Sequence, residues 1–186
     1  MSGAVERILD DIKGLSPAER HQLLSRLAEQ EKNVEASQTA MALTFESDEL
    51  EGSADYVIVF DGGSKGNPGP GYGSYALMET PNGPGGVVRL DFGRTMTNNE
   101  AEYESLIAAL HGVTERIESS DRSPKDFTIE LRGDSALVIN QITGEWKTKD
   151  DRMRRLRNQG RDLLRRFENY RLTLHGREES VRVLGH

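Results

Sequence analysis

Cysteine is absent from the 186 residues of this sequence, which excludes disulfide bonds and thiolate metal sites. Long apolar runs are absent as well, because no stretch approaches the roughly 18 residues that a membrane span requires. The N-terminus lacks the basic segment and apolar core that mark a signal peptide, and no internal repeat is visible. These absences predict a soluble cytoplasmic protein that does not contact a membrane.

The net charge of −7 is distributed unevenly along the chain. Residues 1–55 hold 5 Lys/Arg and 12 Asp/Glu, whereas residues 56–186 hold 19 of each class. Within the neutral part, residues 147–171 contain 10 Lys/Arg and 4 Asp/Glu. The acidic total therefore does not exclude a polyanionic partner, since a separate basic cluster is present.

The sequence divides into an appendage, a linker and a main domain. Apolar residues at helical spacing, interrupted at Gly14 and resumed after a capping sequence at 16–19, predict a helical hairpin over residues 1–32. Residues 33–54 are acidic and aperiodic, which is typical of a linker, and residues 55–186 form the main domain. The apolar stripes of the hairpin are narrow, so we expect it to pack on the main domain, self-associate or dock to a protein partner.

The main domain opens with a strand that carries one carboxylate. Residues 57–60 are consecutive apolar residues, which predicts a strand buried on both faces, and Asp61 follows directly. A carboxylate in this place binds a cation or pairs with a base, or else it is a solvated turn cap. The glycines after Asp61 lack the spacing of phosphate-binding loops, so a tight turn is predicted there.

A second carboxylate, Glu102, follows a predicted antiparallel meander. Two strands are predicted at 73–80 and 87–92, joined by a turn at 81–86. Thr97, with Glu100 three residues later, then predicts a helix start, and this helix continues to about residue 117. Glu102 lies one position before the apolar side of the helix begins. Its carboxylate either points along the helix edge toward the sheet or lies in solvent.

A third carboxylate, Asp134, follows a predicted strand at 127–132 and precedes another predicted helix. Asp134 is either the N-cap of that helix or a neighbour of Asp61, because the two aspartates lie side by side if their strands are adjacent. Two carboxylates that close together repel each other unless a cation holds them. The sequence therefore points to a candidate cation site at the ends of two strands.

A basic helix is predicted near residues 151–167, before a last strand at 171–175. Its apolar residues lie on one face, and arginines recur every three or four positions along another: Arg154, Arg157, Arg161 and Arg165. Such a stripe either binds phosphates or forms a solvated charged face. The sequence alone leaves both interpretations open.

Three motifs together resemble a known family. DGGSKGNPGPGYG at 61–73, TNNEAEY at 97–103 and GDSALVINQ at 133–141 resemble, in this order, type 1 ribonuclease H. The resemblance covers roughly residues 55–180 and does not reach the hairpin. It implies an α/β fold, namely a ribonuclease H-like mixed five-stranded sheet flanked by helices. It also implies endonucleolytic hydrolysis of the RNA strand of RNA–DNA hybrids by a two-metal mechanism that uses Mg²⁺, or Mn²⁺ as a substitute.

The resemblance assigns roles to individual residues. Three carboxylates fall on metal-binding positions of the family: Asp61, Glu102 and Asp134. Five residues match positions on the loop or helix start that meets the substrate: Gly63, Ser64, Thr97, Asn98 and Asn99. Arginines of the basic helix would add salt-dependent affinity for the hybrid, and we assign this role to Arg154, Arg157 and Arg161.

The end of the chain departs from the family pattern. His175 matches a mobile histidine linked to product release or proton transfer, or it is an ordinary structural histidine. Leu184 stands where a fourth carboxylate is expected. Either His186 serves as a fourth ligand or proton-transfer group, or that ligand position is vacant. A vacant position leaves a second function open, a catalytically weak or inactive nucleic-acid-binding module that retains the fold.

Overall fold

A computed structural model describes residues 54–80 and 83–185 of the chain. The predicted hairpin over residues 1–32, nearly all of the predicted linker and His186 lie outside the described residues, so the predictions made for them stay predictions. Within the described ranges, none of the helices is both long and apolar enough to cross a membrane.

A mixed five-stranded sheet forms the centre of the domain and confirms the predicted fold class. The strand order is β3-β2-β1-β4-β5. The first three strands pair antiparallel, whereas β4 runs parallel to both β1 and β5. The most apolar strand is therefore central, as expected for a strand covered on both faces. The bounds are β1 Tyr56–Ser64, β2 Gly69–Glu79, β3 Gly83–Met96, β4 Thr128–Gly133 and β5 Asn169–Leu174.

Helices cover both faces of this sheet. The first begins with the predicted capping box, in which the Thr97 hydroxyl accepts a hydrogen bond from Glu100 N and the Glu100 carboxylate accepts one from Thr97 N. This pairing satisfies two of the amide groups that a helix start leaves without partners. The helices are α1 Asn98–Glu118, α2 Ala136–Thr143, α3 Asp151–Leu164 and α4 Arg177–Leu184, and a short 3₁₀ turn spans Pro124–Asp126.

The core has two parts, one on each face of β1. On the first face, Ile58 and Phe60 pack with α1 and with Leu131 of β4, and all three side chains are almost fully buried. On the opposite face, Val57 and Val59 pack with Leu184 of α4. A buried aliphatic side chain contributes roughly 1.5–3 kcal/mol of transfer free energy, so α4 is fixed to the sheet chiefly by apolar contact.

Two elements differ from the sequence predictions. The strand predicted at 87–92 extends over Gly83–Met96, so the predicted turn at 81–86 was too long. This strand is at the sheet edge, where Pro84 is tolerated although it has no N–H to donate. Residues 177–184, which sequence analysis left without a helix, form α4 because Ser180, Val183 and Leu184 give the segment a buried side.

Candidate active site

Asp61 lies in β1 two residues beyond the end of its pairing with β4. The parallel pairing ends at Val59↔Arg132, whereas the antiparallel pairing with β2 continues to Ser64↔Gly71. Strand β1 therefore does not end at Asp61, and the predicted glycine-rich turn begins only after Ser64. The Asp61 side chain is 5% exposed, and its Oδ1 accepts a hydrogen bond from Gly62 N at 2.7 Å.

Gly62 brings the start of α1 against β1. A Cβ atom at this position would lie 2.4 Å from the carbonyl oxygen of Ala101 and 2.6 Å from Glu102 N. Only glycine permits two backbones to approach this closely without displacement. The contact places Glu102, from the first turns of α1, beside the carboxylate of Asp61.

Glu102 points toward the sheet and away from solvent, which decides between the two orientations that the sequence left open. Its Oε2 accepts a hydrogen bond from Ser135 Oγ at 2.5 Å. The pKa of Glu102 is raised to about 7, chiefly because the carboxyl group is buried. The negative charges of Asp134 and Asp61 contribute to this increase, whereas the Ser135 hydrogen bond and the positive charge of Arg177 oppose it. The three predicted carboxylates are thus close enough to affect one another electrostatically.

Asp134 follows β4 but does not cap the next helix. The N-cap of α2 is Ser135, whose hydroxyl accepts from Val138 N, so the Asp134 carboxylate is not used for capping. Continuing the β1–β4 register by two residues places Asp134 opposite Asp61. Asp134 Oδ2 is buried and has no hydrogen-bond partner among residues 54–80 and 83–185, and Arg177 Nη1 lies 3.9 Å from it.

These carboxylates have the donor chemistry that Mg²⁺ prefers, hard anionic oxygens that leave room for water and substrate ligands. The buried Asp134 Oδ2 is an acceptor that a cation would satisfy. Within residues 54–80 and 83–185, no three His, Cys, Asp or Glu side chains already have the spacing of a metal cluster. Instead, Asp61 faces Gly62 N and Glu102 faces Ser135. Small side-chain rotations would be needed to turn these oxygens toward a shared ion.

The predicted substrate-contact residues form one connected loop and helix start. Asn98 Oδ1 accepts hydrogen bonds from both Ser64 N and Ser64 Oγ, and Asn98 N donates to Asn67 Oδ1. The loop after β1 is thereby fixed to the first residues of α1. Of the five predicted contact residues, Asn98 and Asn99 are exposed, whereas the others are partly buried: Gly63, Ser64 and Thr97.

The three arginines predicted to contact substrate already have partners in the domain. Arg161 donates through Nε to Ile142 O at 2.7 Å and through Nη2 to Gln141 O, which joins α3 to the end of α2. Arg154 forms an ion pair with Asp151, and Arg157 donates to the side chain of its neighbour Asn158. Arg161 is thus engaged in a structural contact, and no contact described here tests a substrate role for these side chains.

At the C-terminal end, His175 lies beside the strand that leads to Asp134. Its backbone N donates to Gly133 O, and its Nδ1 lies 2.8 Å from Gly176 O, while Nε2 is buried and has no hydrogen-bond partner in the described part of the chain. Leu184, at the position where a carboxylate was expected, is fully buried under the sheet. Its side chain therefore contributes to the core, and His186 lies outside the described residues.

Sequence reasoning gave no role to Ser135 or Arg177, although both contact the carboxylates. In the sequence, Ser135 stood out only as a serine that precedes a predicted helix. Arg177, 73% exposed at its side chain, was signalled only as part of the terminal motif. Their contacts span 33 and 43 positions of chain, a separation that local patterns do not reveal.

Comparison with known proteins gives one consistent family. Residues 59–183 match the family model described as reverse transcriptase-like. Ribonuclease HI of Halobacterium salinarum is 44% identical over 117 residues, which are 61% of this chain and 53% of that protein. Bifunctional protein Rv2228c of Mycobacterium tuberculosis is 35% identical over 112 residues, which are 60% of this chain and 28% of that protein. The match thus spans about half of the first relative and less of the second.

Solved structures extend the similarity to the fold. The crystal structure of RNase H1 from Halobacterium salinarum superposes with a TM-score of 0.60 at 37% identity, covering 68% of this chain and 89% of that chain. LC11-RNase H1, solved in complex with RNA/DNA hybrid, gives a TM-score of 0.61 at 26% identity over the same shares. Both matches agree with the mixed five-stranded sheet described above.

Proposed function

Because this chain belongs to the reverse transcriptase-like family and resembles type 1 ribonucleases H in sequence and fold, we propose that it is a ribonuclease H. Its reaction is endonucleolytic hydrolysis of the RNA strand of RNA–DNA hybrids. The substrate assignment is supported by the relative that was solved with an RNA/DNA hybrid.

The observation that carries this proposal is the meeting of three carboxylates from three elements. Asp61 comes from β1, Glu102 from α1 and Asp134 from the end of β4. Asp134 and Asp61 both raise the pKa of Glu102, which requires that their charges lie near it. Grouped, partly desolvated carboxylates are costly for stability, and such groups occur preferentially at functional sites.

Asp61, Glu102 and Asp134 would hold the divalent metal, Mg²⁺ or Mn²⁺ as a substitute. When bound, two such ions activate a water and stabilise charge on both the attacking and the leaving oxygen of a phosphodiester. Ser135 holds the Glu102 carboxylate by its hydrogen bond and so limits its rotation. His175, whose Nε2 is buried and unpaired near the end of β4, is the candidate for moving a proton during product release.

The loop after β1 is the candidate for reading the RNA strand. Asn98 holds Ser64 by two hydrogen bonds, which fixes the backbone of Gly63 and Ser64 in place beside Asp61. Proteins distinguish RNA from DNA chiefly by contacts to the 2′-hydroxyl. We therefore expect cleavage with little sequence preference.

A cleavage assay on the full chain tests the proposal. An end-labelled hybrid is incubated with Mg²⁺ or Mn²⁺, with single strands and duplex DNA as comparison substrates. We expect internal cuts in the RNA of the hybrid alone, abolished by Asp134→Asn. Asp162→Asn, which removes a surface carboxylate paired with Arg165, is the matched control and should retain activity. Hybrid binding without cleavage in either metal would instead indicate the inactive binding module.

A further inference from the structure

Helix α4 covers only part of the width of its face of the sheet. Among residues 54–80 and 83–185, its apolar contacts on this face are with β1 and β2, where its last turn joins the smaller part of the core. The register continues the same face onto β4, because Val57 of that core lies opposite Glu130. Arg132, two residues further along β4, projects from the same face. The surface is thus apolar on β1 and β2 and charged on β4.

The charged side chains on β4 are deeply buried. Glu130 is 3% exposed and Arg132 is 4% exposed. Arg132 Nε lies 3.0 Å from Glu130 Oε1, which also accepts a hydrogen bond from Thr173 Oγ1 of β5. Side chains of this length and charge become so inaccessible only where further atoms lie over them. Their burial therefore calls for covering atoms besides the apolar contacts of α4.

The chain enters the domain on this same face. Ala54 is 1% exposed and belongs to the part of the core that α4 covers. Asp55, the next residue, is hydrogen-bonded to Thr128 at the start of β4. The residues that precede Ala54 therefore leave the domain beside β4, close to Glu130 and Arg132.

We propose that residues 37–53 bind to the charged half of this face, which is formed by Glu130, Arg132, Arg171 and Thr173. Arg171 of β5 lies opposite Glu130 and so projects from the same side. The charged half has two guanidinium groups and one carboxylate, whereas residues 37–53 have no lysine or arginine. Opposite charges therefore meet when the segment covers the face. The carboxylates of the segment are Glu46, Asp48, Glu49 and Glu51.

The length of the segment and an unsatisfied oxygen support this contact. Neighbouring strands lie about 4.8 Å apart, so Arg171 is roughly 15 Å from Ala54, a distance that about five extended residues span. Glu49 is therefore within reach of Arg171. Glu130 Oε2 is buried and has no hydrogen-bond partner in the described part of the chain, and a backbone N–H or hydroxyl of the segment would satisfy it.

The segment would add to the domain without being needed for its fold. Both parts of the apolar core are formed by residues between Ala54 and Leu184. The acidic composition that is typical of a linker would then serve to cover a charged part of the sheet.

The absence of cysteine from the sequence permits a direct test in the full chain. Glu49→Cys is combined with Arg171→Cys, and a short bismaleimide joins the two thiols where they lie within its reach. Tyr170→Cys replaces Arg171→Cys in the matched control. Tyr170 is also exposed on β5, but it lies opposite Ile129 of the larger part of the core and so projects from the other face. We expect the intramolecular product to form about tenfold faster with Arg171→Cys than with Tyr170→Cys.

The products distinguish the possible occupants of the face. The experiment is repeated with Glu46→Cys, so that the result does not depend on a single position of the segment. Equal rates for positions 170 and 171, or no intramolecular product from any pair, would overturn the proposal. A product that joins two chains would assign the face to a second copy and would also overturn it.

Removal of the acidic charges gives an independent arm. In the full chain, the four carboxylates of the segment are neutralised by Glu46→Gln, Asp48→Asn, Glu49→Gln and Glu51→Gln. The unfolding temperature should fall by about 3 °C at low salt, and the difference from the parent should vanish in 1 M salt, where charge interactions are screened. The control neutralises four acids of residues 1–32 and should show no decrease: Glu6→Gln, Asp10→Asn, Asp11→Asn and Glu31→Gln.

Arg171→Gln identifies the partner of these charges. It should lower the unfolding temperature of the parent by a similar amount but have little further effect once the four carboxylates are neutralised. Additive decreases, or an unchanged unfolding temperature after neutralisation, would contradict the contact. Because cross-linking and unfolding are measured without substrate, the result does not depend on the proposed activity.

Discussion

Glu102 is a partly buried carboxyl group whose pKa is raised well above its ordinary value. Burial raises its pKa to about 7, and the charges of Asp134 and Asp61 act in the same direction. A carboxyl group with a raised pKa favours the protonated form in the folded state. Between its ordinary pKa near 4.5 and about 7, the folded protein therefore binds more protons than the unfolded chain.

The contribution of Glu102 to the stability of the metal-free protein should consequently fall as the pH rises. The contribution of Glu102 is fully present below pH 4.5 and is lost as the pH passes about 7, a change of up to about 3 kcal/mol. Glu102→Gln stays neutral, so in chelator at pH 8 it should exceed the parent in free energy of unfolding, and near pH 4 the two should converge. Urea titrations across this range measure the difference. A difference that does not vary with pH would contradict the pKa assigned here.

Metal binding should show the opposite pH dependence, because a carboxylate must be ionised to act as a ligand. With a pKa of about 7, the ionised fraction of Glu102 is about thirtyfold lower at pH 5.5 than at pH 8. We expect Mg²⁺ to raise the unfolding temperature of the parent at pH 8 and to have far less effect at pH 5.5. Asp134→Asn should lose this increase at both values, and an equal increase at both values in the parent would exclude Glu102 as a ligand.

Gly62 controls the distance between two of the carboxylates. Gly62→Ala would place a methyl group against the Ala101 carbonyl, so α1 must shift away from β1. Overpacking of this kind lowers the free energy of unfolding by about 1–3 kcal/mol. We expect the cleavage rate to fall by more than this loss of stability alone would cause, since Glu102 moves with the helix. The measurements are urea unfolding and initial cleavage rates.

Gly112→Ala, in the same helix, is the matched control for this change. There the added methyl group meets the flexible hydroxyl end of Tyr75, and alanine favours a helix over glycine by about 1 kcal/mol. Equal loss of activity in the two variants would remove the special role of Gly62.

Among the elements, α2 and α3 are linked by hydrogen bonds from one side chain, Arg161. Arg161 donates to two carbonyl oxygens at the end of α2, groups that a helix leaves without internal partners. Gly144, with φ of 97°, ends α2 in the left-handed conformation directly before the connection. The arginine thus serves both as a cap for one helix and as a link to the next.

Arg161→Ala should therefore affect stability more than substrate affinity. Loss of charge-assisted hydrogen bonds to buried carbonyls costs about 1.5–3 kcal/mol. We expect that decrease in the free energy of unfolding, with the salt dependence of hybrid binding unchanged at temperatures well below unfolding. A reduced salt dependence would instead support the substrate role predicted from the sequence.

Local signals in the sequence predicted the elements that depend on neighbours in the chain. Thr97 and Glu100 form the predicted capping box because both partners lie within one turn. Asp61 was recognised because an acid after an apolar run is unusual, and Asp134 because it stands between a predicted strand and a predicted helix. The final helix was missed because Val183 and Leu184, which form its apolar side, can be recognised as buried only when the face of β1 that they cover is known.

The site itself was predictable only in part. The types of ligand residue followed from the motifs, but their partners did not, since Ser135 reaches Glu102 across 33 residues. The face of α3 that meets α1 was likewise hidden. Arg152 and Arg155 line a cavity beside the start of α1, yet both lie outside the arginine stripe predicted from the sequence.

At the scale of the whole molecule, the buried residues of the domain come from one continuous stretch. Both parts of the core are formed by residues between Ala54 and Leu184. Asp55 extends the pairing of β1 with β4, since its backbone N donates to Thr128 O and its carboxylate accepts from Thr128 N. The buried Ala54 and the hydrogen-bonded Asp55 therefore both belong to the packed part of the chain.

A fragment of residues 53–186 should fold and cleave hybrid without the N-terminal segment. It lacks most of the acidic excess, so we expect its hybrid affinity to be equal to or higher than that of the full chain at low salt. Circular dichroism during urea unfolding and the cleavage assay measure the two properties, and light scattering of both forms tests whether residues 1–52 cause self-association. A fragment without a cooperative transition would contradict the domain boundary.

The parallel pairing of β1 with β4 also determines at which stage of folding the site forms. The β1–β2–β3 meander needs only short connections, whereas β1 meets β4 after the whole of α1 has been placed across the sheet. Contacts between distant parts of a chain form late, because closing a long loop costs entropy before any contact repays it. A refolding chain would thus regain most of its strands before it regains affinity for Mg²⁺, and the ion would serve as a probe of the last pairing to form.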